Sequence, residues 1–150
     1  MVCAMIIRLA IVVLSLVGLW DAFYFTLAYY GRVQKARWVP AVLCAREGSN
    51  CVTVVQTPYA RVFRVPNSLL GIFYYSAVVA WTVVGPRLDL RLGGVAFPFV
   101  WLMWAASVVT VLLGSYLIYA LLKKLHTHCP LCYLAHGINA VLLVLLILFH

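Results

Sequence analysis

The feature that most constrains this chain is a series of four long apolar stretches separated by connections that hold nearly all of its charge. The last stretch runs from Cys129 to Phe149 without one charged residue. A bilayer core takes about 20 apolar residues per helix. Chains of this kind have too little polar surface to cover a soluble globule. The whole sequence agrees, since its 150 residues are 67% hydrophobic and only 9% charged. The expected fold is an all-α membrane protein. It would be a four-transmembrane-helix bundle forming one domain over residues 1–150, with a short amphipathic helix in the first connection.

The first span is expected from about Leu9 to Tyr30, entered after Arg8. Arg8 ahead of an apolar core, with Thr26-Leu27-Ala28 behind it, has the outline of a signal peptide. The run is longer than a signal core and carries Trp20 and Tyr24, so it reads as a retained span. Asp21 is the one acid near a span. Placing it in hydrocarbon costs about 2.5–3.5 kcal/mol, so the interfacial half of a tilted helix is its expected place. A polar contact inside the bundle is the alternative. The second span runs from Pro66-Asn67 to about Val84 and is stopped by Gly85-Pro86. The third is expected from about Val95 to Leu122, long enough to tilt or protrude. Lys123, Lys124, His126 and His128 lead into the fourth.

Eleven basic residues against three acidic ones give a net charge of +8. The basic residues lie between apolar runs, where they anchor spans to membrane lipids, so no nucleic-acid partner is expected. Four of the five cysteines fall into two pairs, and Cys3 reads as an inert thiol in the first helix. Cys44 and Cys51 flank Ala45-Arg46-Glu47-Gly48-Ser49-Asn50, whose last three residues are turn formers. Val52, Val54, Val55, Tyr59, Val62 and Phe63 then mix with polar residues. This pattern predicts an amphipathic segment on the membrane surface, with Thr57 capping a turn that begins at Pro58.

Cys129-Pro130-Leu131-Cys132 opens the last span. Thiols three residues apart share a helix face and can close a disulfide. Cys129 would sit where unpaired N–H groups and the helix dipole favour a thiolate, and Pro130 suits the first helical position. His136 and Asn139 continue the stripe, four and three residues on. This reads as a redox centre. Two other readings use the same residues. His126, His128, Cys129 and Cys132 could hold zinc or copper, or the cysteines could be structural in a non-catalytic bundle. Haem attachment fails because Tyr133, not histidine, follows Cys132. With four spans, the first and third connections lie on one side of the membrane. Cys44, Cys51, Asn67, Cys129 and Cys132 then share a face, and disulfide exchange between the pairs becomes geometrically reasonable.

These residues, in this order, resemble the vitamin K epoxide reductase family. The resemblance covers about Cys44 to Leu146. It rests on the loop pair, on Asn67-Ser68 with Gly71 and Phe73-Tyr74-Tyr75, and on Cys129-Pro130-Leu131-Cys132. Thr57 falls where the family carries Ser or Thr. The quinone-linked protein DsbB also has four spans but carries its Cys-x-x-Cys in the first connection. The resemblance implies a membrane thiol oxidoreductase in which Cys129 and Cys132 are the active-site pair, with Cys132 nearest a lipid quinone such as menaquinone or ubiquinone. Cys44 and Cys51 would be the shuttle pair, taking electrons from a thioredoxin-like or DsbA-like dithiol protein. Asn67 would hold a quinone carbonyl, and Val55, Phe73 and Tyr74 would wall the ring. His136 stands where vertebrate members carry Tyr. It keeps a hydrogen-bonding group there and can deliver a proton, so quinone reduction rather than epoxide reduction is the expected activity. No thioredoxin-like domain follows His150, unlike in bacterial fusion members, so the partner is expected to be a separate protein.

Orientation follows from charge. The cysteine-bearing side has eight Lys/Arg (Arg32, Lys35, Arg37, Arg46, Arg61, Arg64, Lys123, Lys124) against three opposite (Arg8, Arg87, Arg91). The positive-inside rule puts the thiol face in the cytosol. Resemblance favours the periplasm or the endoplasmic reticulum lumen. Cytosolic disulfide formation suits hosts with disulfide-rich intracellular proteins.

Overall fold

The computed structural model describes residues 2–32, 51–62, 64–84, 89–92 and 95–149. The long helices are α1 (Val2–Tyr29), α3 (Asn67–Val84), α4 (Phe99–Lys123) and α5 (Pro130–Phe149), each long and apolar enough to cross a membrane. Between α1 and α3 comes a short helix, α2 (Cys51–Gln56), then a 3₁₀ turn at Pro58–Ala60. Two-residue strands β1 (Arg61–Val62) and β2 (Val65–Pro66) pair antiparallel before α3. The all-α membrane bundle expected from the apolar runs is therefore the observed fold.

Its helices are apolar all round because both faces meet hydrocarbon or other helices. Leu112, Val144, Phe73 and Val84 point outward and are more than half exposed. Several hydroxyls in these spans close onto their own helix. Thr82 donates to the Val78 carbonyl at 2.7 Å and Ser107 to that of Met103 at 2.7 Å. This back-bonding satisfies a donor where no water is at hand.

Packing concentrates along three seams: α1 with α3, α1 with α5, and α4 with α5. The α4–α5 seam is antiparallel, with Gly114 against His136 near one end and the Trp104 indole donating to the Leu146 carbonyl at 3.3 Å near the other. Ile11, Val78, Leu142 and Leu146 centre one buried cluster. A second lies at the opposite end, where Tyr24, Phe25 and Ala28 of α1 meet Val55, Leu121, Cys129 and Leu131. The amphipathic helix of the first connection thus turns Val54 and Val55 onto the bundle and leaves Thr53 and Gln56 exposed.

Two expectations need correction. The third helix begins at Phe99, not Val95, because Val95–Pro98 forms strand β4, paired with β3 (Asp89–Leu92). Pro98 has no N–H to offer and holds the preceding residue extended. The intervening sequence Gly93-Gly94 is a dipeptide that tight hairpins favour. Thr57 does occupy the cap position of the 3₁₀ turn, but its hydroxyl makes no cap bond there. It donates backward to the Val54 carbonyl at 2.7 Å and closes α2 instead.

Tyr75 links three helices. Its ring lies over Gly18 of α1, and its hydroxyl donates to Asn139 Oδ1 of α5 at 2.7 Å. A Cβ at Gly18 would collide with that ring. Gly18→Ala is expected to cost about 1–3 kcal/mol by overpacking, read as a lower thermal midpoint in detergent. Tyr75→Leu in the same chain should recover part of that loss.

Candidate active site

The chemistry gathers at the mouth of α5. Cys129 precedes the helix as its cap, and Pro130 takes the first helical position, where a missing N–H costs nothing. The Cys129 carbonyl accepts the Tyr133 N–H at 3.2 Å, and its sulfur accepts the Cys132 N–H at 3.4 Å. Cys129 thus does with sulfur what a capping serine does with oxygen. The Cys132 thiol also donates to the Cys129 sulfur, at 2.6 Å. Cys129 is fully buried and Cys132 partly so. The hydrogen bond from Cys132 holds the Cys129 thiol below its ordinary range, aided by backbone N–H groups and opposed by burial and by the charge of Asp21.

A cavity of about 470 Å³ extends inward from Cys132, within the 300–1,000 Å³ usual for small-molecule sites. It fills the space between α3 and α4, with Leu70, Phe73 and Ala77 on one wall and Leu102, Val109 and Leu113 on the other. Tyr74 spans this seam, its hydroxyl 2.9 Å from Ser107. Since Ser107 donates to the Met103 carbonyl, Tyr74 is the donor in this pair. The walls are mostly apolar, with polar groups that include Asp21, Thr57, Asn67, Ser68, His136 and Asn139.

The predicted residues come together unevenly. Cys132, Asn67, His136, Val55, Phe73 and Tyr74 all line this one cavity. Val55 and Tyr74 are buried, while Phe73 is 68% exposed at its outer edge. Asn67 is the first residue of α3, and beside it the Ser68 hydroxyl lies 3.0 Å from that of Thr26 on α1. Cys129 does not line the cavity and belongs to the buried cluster that includes Val55, Leu131 and Phe25. Cys51 heads α2, whose Val54 and Val55 join the same cluster, so the first connection does reach the thiol end of the bundle. Cys44 lies outside the described residues.

His136 rests flat on Gly114, where a Cβ would come within 2.7 Å of Nδ1. That nitrogen is buried without a hydrogen-bond partner among the described residues. The four-ligand metal arrangement does not assemble. His128 Nδ1 is 3.1 Å from the Tyr133 hydroxyl, and no three His, Cys, Asp or Glu side chains among the described residues are grouped to hold an ion.

The interfacial place expected for Asp21 is overturned. It is 1% exposed and lines the cavity, because α1 turns it inward on the same stripe as Gly18, Ala22 and Phe25. Tyr75 of the cavity wall, and Gly18 and Gly114 packed against Tyr75 and His136, are not singled out as site residues by the sequence, because each matters only through a residue on another helix.

The model of one protein family, described as the vitamin K epoxide reductase family, matches residues 9–147. No curated protein matches the chain. The match spans all four membrane helices and the cavity between them, and so the chain is a membrane oxidoreductase belonging to the vitamin K epoxide reductase family.

Proposed function

We propose that this protein oxidises a thioredoxin-like dithiol partner and passes the electrons to a lipid-soluble quinone, promoting disulfide formation. One observation carries the reading: Cys132 opens into an apolar cavity whose few polar side chains include Asn67 and His136. The cavity suits a quinone, a flat apolar ring with two carbonyl oxygens. When bound, a quinone supplies a two-electron, two-proton acceptor. The Asn67 amide donates a hydrogen bond to one carbonyl oxygen. His136 delivers a proton to a quinone oxygen as the dithiol closes.

Electrons enter through Cys44 and Cys51. Reduced Cys51 attacks the Cys129–Cys132 disulfide at Cys129, freeing Cys132. Cys44 then attacks Cys51 and expels Cys129. A leaving thiol with a low pKa leaves faster, so the hydrogen bond from Cys132 that lowers the Cys129 thiol speeds this second exchange. The hydrophobic cluster that Val54 and Val55 share with Cys129 supports this hand-over, since it keeps α2 near the active-site pair. The reduced Cys129 and Cys132 then close their disulfide and give two electrons and two protons to the quinone.

The central test mixes purified protein with a reduced thioredoxin-like protein and a soluble quinone and follows quinone absorbance. Partner-dependent loss of absorbance is expected, and its absence would remove the reading. Cys51→Ala should block the protein partner while sparing reduction driven by a small dithiol. Equal loss with both reductants would refute the shuttle role. The pKa argument has its own check in a chain with the other three cysteines replaced. There, Cys132→Ala should move Cys129 thiolate absorbance to higher pH, because the largest influence lowering that thiol is gone.

We also propose that the thiol face is cytosolic, on the strength of eight Lys/Arg against three. A membrane-impermeant thiol reagent applied to intact cells should leave Cys44 unlabelled. Strong labelling would reverse the orientation.

A further inference from the structure

The proposed mechanism leaves the buried carboxyl group of Asp21 unused. Asp21 lines the cavity from α1 beside Ala22 and Phe25 and is 1% exposed, and no hydrogen-bond partner reaches its Oδ1 among the described residues. A carboxyl group in a membrane span is costly to keep there without a task. Nothing about packing calls for this one, since its neighbours Ala22 and Phe25 fill the same face with apolar groups. It shares the cavity with Cys132, His136 and Asn139. Its charge is also felt at the Cys129 sulfur, which it pushes toward the protonated thiol.

Resting on the quinone reading above, we propose that Asp21 is a proton carrier between the Cys129–Cys132 dithiol and the quinone oxygen. Closing the disulfide forms one S–S bond, breaks two S–H bonds and releases two electrons and two protons. Both electrons pass to the quinone, and each of its two oxygens gains one proton. Asp21 takes up one thiol proton at a carboxylate oxygen, gives it to one quinone oxygen and returns to its starting state. His136 serves the other oxygen. Two buried atoms without a hydrogen-bond partner among the described residues, Asp21 Oδ1 and His136 Nδ1, belong to side chains that line this one cavity from α1 and α5.

The test uses the full chain in detergent, reduced beforehand and mixed with a soluble quinone in the absence of any partner protein. Asp21→Asn keeps the shape and loses the exchangeable acid, and should form quinol slower by roughly 10²-fold or more, the lower end of what general acid–base catalysis contributes. In Asp21→Ala, added formate should restore part of the rate, because a small acid enters the space and carries the proton. A second readout needs no quinone. The infrared difference spectrum between dithiol and disulfide states should carry a carboxyl C=O band in the natural chain that Asp21→Asn removes. An unchanged rate in Asp21→Asn would overturn the proposal, as would a slowed rate with neither formate rescue nor a carboxyl band. Failure of the natural chain to reduce quinone would instead remove the parent reading, and this proposal with it.

Discussion

In hydrocarbon no water stands ready to satisfy a polar group, and this structure is organised around that shortage. The backbone meets it by winding into four spans. Hydroxyls such as Thr82 meet it by bonding to a carbonyl one turn earlier. Tyr74 and Tyr75 meet it across helices, with Ser107 and Asn139, and these bonds fix α3 against α4 and α5. The groups that protein packing leaves over include Asp21 Oδ1 and His136 Nδ1, and both side chains face the same cavity. A site for a polar-edged apolar molecule arises where the bundle leaves these atoms unmatched.

Helix proximity comes from absent side chains as much as from present ones. Gly18 lets the Tyr75 ring lie against α1, and Gly114 lets the His136 ring lie against α4. Each ring occupies space that a Cβ on the facing helix would take. The α3–α4 side differs: Tyr74 and Ser107 bond across it, and both helices line the cavity.

Much of this was legible before any coordinates. Apolar run length gave the spans, because the bilayer imposes a length that composition alone reveals. The parity of four crossings brought the first connection to Cys129, and α2 does lie there. The strand pairing of Asp89–Leu92 with Val95–Pro98 was hidden because Val95–Pro98 is as apolar as the helix that follows, and hydropathy does not distinguish strand from helix. Asp21 was misjudged for a different reason. Its cost in lipid is a property of the residue, but its rotational position on α1 depends on which helices pack beside it. Tyr75 and Gly18 were silent for the same reason, since each matters only through the other.

The sulfur cap at the head of α5 joins two quantities usually treated apart. An N–H donates more strongly to a thiolate or thiol sulfur than to one already bonded to another sulfur, so the cap is firmest when the pair is reduced. Helix fraying and electron affinity then belong to one thermodynamic cycle. Whatever tightens the first turn of that helix makes the couple more oxidising, in the way a stabilised reduced form does in general. Secondary structure here is part of the battery.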